Sequence, residues 1–351
     1  MIEDVSRSGL LYAASAVCST CTAGYLLYKK YLDKSIPSAD AQIKHELITF
    51  TGLTTTTTCV VASATYYADN DRTTAAFPIM FAGCMFVPVI VAKGIEWYYR
   101  KEEDIVNTTM VKHAYSNKTA YLGAAIVGAI AVDTILISSM LPGNRLSKGS
   151  EHFVSRLSVQ HRAKIADEIS NMSLGRFIPK ALAGVFIGGL SINTLLAYME
   201  ERGWRHFMYK RLDQLLGRNA FWTHSLITGA TWGLFHVPLI FCGSNYPNNP
   251  LYGAGQFIVA CMVYSPLFKY IVDKSQEEEE ETHESNKVFV SGVVAAMLHG
   301  VMNATGSLSL MFVNGGSDLS NGLAGWAGIS AFAIADVALW LYQSTSCCAR
   351  K

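Results

Sequence analysis

The chain has 351 residues, with 28 Lys and Arg against 27 Asp and Glu, a formal charge of +1, half of its residues hydrophobic and only 16% charged. A soluble chain carries about 25% charged residues, so a disordered protein and a small disulfide-stapled domain are excluded. The near-zero charge also leaves no basic footprint for a phosphate backbone, and no nucleic acid partner is expected. The solvent that suits this composition is lipid.

In chain order, nine segments carry the roughly 20 mostly apolar residues that a membrane-crossing helix needs: 9–29, 47–67, 76–95, 120–141, 177–200, 219–242, 251–272, 288–312 and 323–343. The apolar runs are continuous rather than alternating, so the expected fold class is all-α, a polytopic transmembrane helical bundle of about eight or nine spans, and not a barrel. The first span follows Glu3 and Asp4 without a basic n-region and reads as retained. Its Cys18 and Cys21 form a CxxC with no second pair, which reads as small packing residues. Asp133 and Asp336 interrupt apolar spans, where structural hydrogen bonding is expected of them. The 145–176 connection has Phe153, Leu157, Ile165 and Ile169 at near-helical spacing among charges, which fits a helix lying in the interface or a packed cap. Gln276 to Glu281 reads as a solvated acidic spacer, and Cys347 and Cys348 as tail residues open to palmitoylation. Three regions result: 1–175 with the first helices and the interfacial connection, 176–312 as the chemical core, and 313–351 with the last helix and tail.

Of the 28 Lys and Arg, 19 fall to the loops after spans 1, 3, 5 and 7 and the C-terminal tail. The positive-inside rule therefore places the C-terminus in the cytosol and the N-terminus outside, although seven of the other nine cluster in or beside the long 142–180 connection. Of the glycosylation sequons at Asn107, Asn117 and Asn171, this topology exposes only Asn171 to a lumen.

Residues 199 to 236 differ in kind from the rest. They read Met199-Glu200-Glu201-Arg202-Gly203-Trp204-Arg205, then Trp232-Gly-Leu-Phe-His236, and the eighth span adds His299-Gly-Val-Met-Asn303. Glu201 and Arg205, Trp232 and His236, and His299 and Asn303 are each four apart, so each pair shares a helix face. If the fifth helix runs on to about 216 and Gly217 stops it, Glu200 and His236 both lie 18 residues from a turn centred on 218. Both then sit about 27 Å from that turn, level with each other inside the bilayer. A desolvated carboxylate at such a place suits a general base.

The three motifs, EExxxR, [FW]xxxH and HxxxN in this order on hydrophobic helices, resemble the signature of the CPBP family of intramembrane proteases, which includes the type II CAAX prenyl endopeptidases. The resemblance covers about residues 180–310, and the first four spans carry no motif that matches it. His206 departs from the family, many members having Gly there, and adds a bulky group beside Arg205. The resemblance implies peptide-bond hydrolysis by an integral, multi-pass membrane enzyme, in the endoplasmic reticulum of a eukaryote or otherwise in the plasma membrane. Glu200 and His236 would hold and deprotonate a water, His299 and Asn303 would stabilise the oxyanion, and Glu201 and Arg205 would orient the site. The implied partner is a prenylated or membrane-embedded peptide, cut to release the C-terminal tripeptide of a CAAX protein. No metal or other cofactor is required; the alternative is a zinc ion on Glu200, His236 and His299, against which stands the absence of an HExxH pair. Two other functions fit a helical membrane chain: a protease-like scaffold that binds partners without hydrolysis, and a transporter relaying protons through Glu200, Asp133 and Asp336.

Overall fold

The computed structural model describes residues 38–68, 82–99, 114–149, 153–154, 159–217, 219–278 and 284–349. Their helices are α1 (Ala39–Ala68), α2 (Val87–Tyr99), α3 (Lys118–Met140), α4 (Val159–Asn171), α5 (Leu174–Leu216), α6 (Phe221–Phe241), α7 (Pro250–Glu278), α8 (Glu284–Met311) and α9 (Trp326–Ala349). The class is all-α, as expected. Sheet among the described residues is confined to β1 (Arg145–Leu146) paired antiparallel with β2 (Val313–Asn314), which pins two loops together at one end of the bundle.

Five described helical segments are long and apolar enough to cross a membrane: Ala39–Tyr67, Lys118–Met140, Leu174–Leu216, Pro250–Glu278 and Val290–Met311. By that measure α6 and α9 do not qualify, although both pack along α7. The count of eight or nine spans is therefore not confirmed. The span at 9–29 with Cys18 and Cys21, Asn107, the acidic run beyond Glu278 and the side chains of Cys347 and Cys348 lie outside the described residues. Large apolar side chains point away from the bundle, among them Ile90, Trp97, Val132, Ile187 and Leu195. A soluble bundle rarely exposes so much apolar surface; in lipid it costs nothing.

Helix α5 is 43 residues long and is interrupted twice by π-helical turns, Gly189–Asn193 and Arg202–Met208. It ends where the sequence places its stop: Gly217 takes φ +77°, and its N–H bonds the Asp213 carbonyl. The return helix α6 packs most closely on α7 through Gly229 and Gly233. A Cβ on Gly229 would stand 2.5 Å from the Cys261 carbonyl oxygen, and one on Gly233 would stand 2.6 Å from the Ile258 Cα. This small-xxx-small stripe lets two backbones touch where lipid supplies no hydrophobic drive. At the turn end of α5, Arg211 Nε donates to Glu46 Oε2 on α1 at 2.6 Å, and both side chains are wholly buried. That pair ties the N-terminal helices to the core.

Asp133 is exposed on α3, and Asp336 Oδ1 on α9 is buried with no hydrogen-bond partner among the described residues.

Candidate active site

Adjacent helical residues project about 100° apart, so Glu200 and Glu201 face different neighbours. Glu200 Oε2 accepts the Trp232 indole Nε1–H at 3.0 Å. Glu201 Oε1 accepts from His299 Nδ1 and from Arg205 Nη1, both at 2.8 Å. The four-residue spacing of Glu201 and Arg205 does produce the ion pair. It does so across the start of a π-helical turn rather than in plain α-helix, and both side chains are wholly buried. Such turns recur at functional sites because they re-aim side chains that a regular ladder would hold elsewhere.

Trp232 is the hub. Its indole bonds Glu200, its ring meets His299 edge-on at 5.1 Å and His236 at 5.8 Å, and Arg205 lies 4.4 Å over it. Phe268 on α7 covers the other side of the guanidinium at 4.0 Å, so the buried cation is held between two rings and one carboxylate. His236 Nδ1 donates to the Trp232 carbonyl at 2.9 Å. That bond and the one to Glu201 fix both imidazoles with Nδ1 protonated, leaving Nε2 of each for chemistry.

Glu200, His236, His299 and Asn303 line one cavity of about 410 Å³. The level match of Glu200 and His236 across the α5–α6 hairpin is thereby realised. Glu201 and Arg205 lie behind the cavity wall, where they hold His299 and Trp232. Asp133 and Asp336 do not line it. Ser244 and Asn245 after α6 and Asn321 to Ala324 before α9 complete its lining. His236 is only five residues from the end of α6, about 8 Å of helix, so the end opposite the α5–α6 turn is the nearer approach to the cavity and counts as its mouth. The rim is rigidly tied, since Gln256 bonds the carbonyls of Leu319 and Ala324 and Tyr264 bonds that of Leu323.

His206 does not crowd Arg205. It turns to Arg202, whose Nη1 donates to His206 Nδ1 at 2.6 Å. A zinc ion would need Glu200, His236 and His299 to converge on a point. Among the described residues no three His, Cys, Asp or Glu side chains form such a group, and one Glu200 oxygen is engaged by Trp232. The residues do not fit that metal. Motif spacing singled out Trp232 without giving it a task, and nothing in the sequence marks Phe268, which reaches the site from a helix with no motif.

Residues 182–305 match the family model described as Type II CAAX prenyl endopeptidase Rce1-like. The matched segment contains all six residues expected at the site. No curated protein and no solved structure matches the chain. About a third of the chain is thus similar to a CAAX-type peptidase, and it lies in a bundle whose described residues include five helical segments long and apolar enough to cross a membrane.

Proposed function

We propose, from the premise of that Rce1-like peptidase domain, that the chain is an intramembrane endopeptidase that removes the C-terminal tripeptide of prenylated CAAX proteins. The observation that carries this reading is the state of Glu200. One carboxylate oxygen is pinned by Trp232, and the other takes no hydrogen bond among the described residues, in a cavity shared with His236, His299 and Asn303. A pinned carboxylate with one free oxygen suits a base that holds a water.

In the step that follows, Glu200 and the Nε2 lone pair of His236 orient that water, and its oxygen attacks the scissile carbonyl. Its proton passes to Glu200, and the carbonyl oxygen becomes an oxyanion. The Asn303 amide and His299 Nε2 are the donors for that charge. His299 can donate from Nε2 only as an imidazolium, because Nδ1–H is already given to Glu201. Glu201 is the counter-charge that supports this form, and Arg205 holds Glu201 in place. Collapse of the intermediate breaks the C–N bond, and the proton held on Glu200 goes to the leaving amine.

A prenylated tail is anchored in the cytosolic leaflet, so this reading requires the cavity mouth to face the cytosol. That reverses the sidedness favoured by the count of Lys and Arg. Among the described residues, Arg145, Lys148, Lys164, Arg176 and Lys180 of the 142–180 connection lie toward the mouth end, where they suit an anionic leaflet. The same charge count supports a second reading, in which the mouth faces a lumen and the substrate is a membrane-embedded peptide without a prenyl group.

Incubation of the purified protein with a farnesylated CAAX peptide tests the first reading. The wild type cleaves it, and Glu200→Gln and His236→Ala each lose about 10³-fold in kcat. Stripping divalent metal with a chelator leaves the rate unchanged; a rate lost with the metal and restored by zinc contradicts the metal-free step. Cleavage restricted to non-prenylated membrane peptides selects the second reading.

A further inference from the structure

A second, apolar groove of about 540 Å³ adjoins the catalytic cavity, and Phe153, Asn303 and Ser307 line both. Its walls come from α5 with Phe177 and Val185, from α8 with Leu308 and Met311, and from α4 with Ile169. Asn303 stands where the groove joins the catalytic cavity. At its outer end is Lys180, whose Nζ lies 2.5 Å from Glu168 Oε1 on α4, both side chains being more than half exposed. We propose that this groove takes the residues on the carboxyl side of the scissile bond and that Lys180 binds their terminal carboxylate. The proposal rests on the endopeptidase reading of the cavity.

Length, polarity and charge each support it. Helices α5 and α8 touch where a Cβ on Gly300 would stand 2.3 Å from the Gly189 carbonyl oxygen. From that crossing Lys180 lies nine residues toward the mouth on α5, and Asn303 three residues toward it on α8. At 1.5 Å per residue, Lys180 is about 9 Å beyond Asn303 along the bundle. Three extended residues span about 10 Å. A peptide whose scissile carbonyl sits at Asn303 therefore presents its third residue's carboxylate at Lys180. The wall between is apolar, which suits aliphatic side chains but not a charged one. Lys164 and Arg176 share the depression around Lys180 with Asp167 and Glu168, so the rim is net basic even with Glu168 in place. An incoming carboxylate exchanges for Glu168, which turns to solvent. One ion pair replaces another, so little new desolvation is incurred.

The test compares two farnesylated peptides of one sequence, one ending in a free carboxylate and one in a carboxamide. The wild type is expected to favour the free acid by about fivefold in kcat/KM, carried by KM, as befits a part-exposed ion pair. Lys180→Ala should raise KM for the acid to that of the amide, so that the preference is lost. Lys180→Arg should keep the preference. Glu168→Gln should lower KM for the acid, because it removes the competitor. A wild type indifferent to the terminal group overturns the proposal and leaves the groove to an internal peptide segment or an acyl chain. A Lys180→Ala variant with the wild-type preference overturns it too. If the wild type cleaves neither peptide, the endopeptidase reading fails. Equilibrium binding of the two peptides then decides for Lys180: a preference for the acid that Lys180→Ala abolishes supports it, and equal binding overturns it.

Discussion

Trp232 performs three tasks with one side chain: it pins Glu200, walls His299 and His236, and covers the Arg205 guanidinium. Replacing it with Phe keeps the ring and removes the N–H, so Glu200 regains rotational freedom while the packing survives. We expect Trp232→Phe to lower kcat about 10- to 100-fold with little change in KM or in melting temperature, since a misplaced base costs orders of magnitude that stability does not register. Unchanged kcat would show that Glu200 is not held through the indole. Glu201→Gln separates charge from shape in the same way. Its carbonyl still accepts from His299, but the counter-charge is gone, and about 10²-fold in kcat is expected to go with it, the scale of losing one oxyanion donor. How much of this the sequence revealed divides along contact range. Glu201 with Arg205, and Trp232 with His236, were readable because four-residue spacing is a local fact. The bonds from Trp232 to Glu200 and from His299 to Glu201 join residues 32 and 98 apart, and only the helix–helix docking sets them.

The hairpin of α5 and α6 is the element on which the site depends. Its depth arithmetic needed the helix to run on to residue 216 and a stop at Gly217, and both are present, with two π-helical turns along the way. The π-helical turns were not readable, because i,i+4 spacing looks the same in sequence whichever ladder the backbone adopts. The close approach of α6 to α7 through Gly229 and Gly233 makes that contact intolerant of bulk. Gly233→Val should cost about 1–3 kcal/mol and move Trp232 and His236 together, so activity should fall further than stability. Melting and turnover measured on the same sample distinguish the two losses. At the other end of the hairpin, Glu46→Ala strands Arg211 in a wholly buried place, and about 3–5 kcal/mol of destabilisation is expected. That pair, 165 residues apart, carried no sequence signal. On the mouth side, the Lys180 ammonium hydrogen-bonds Glu168 and holds its carboxyl below the ordinary value of 4.5. The link between α4 and α5 is therefore fully present above that value, and is lost as pH falls through the lowered one. Cleavage within α4 by an acid protease should accelerate only below that ordinary value, as the Glu168 carboxylate takes up its proton.

At the scale of the whole molecule, the scarcity of charge identified lipid as the solvent, and the exposed apolar faces of the outer helices agree. Orientation is written only in the loops. Charge counting weighs each loop by its Lys and Arg, whereas the cavity mouth lies among loops with none, at 243–249 and 313–325. Asn171 is exposed near that mouth at the end of α4. Expression in a glycosylating cell should leave it bare if the mouth faces the cytosol, and a glycan there would assign the site to the lumenal face and to the non-prenylated substrate. The most direct measurement is the mass of both products after a farnesylated CAAX peptide is cleaved in ¹⁸O-enriched water. The Glu200 step predicts an intact tripeptide and one ¹⁸O atom in the new carboxylate of the farnesyl-cysteine fragment, formed by the wild type and not by Glu200→Gln. Cleavage at another bond, or equal product from Glu200→Gln, would contradict it.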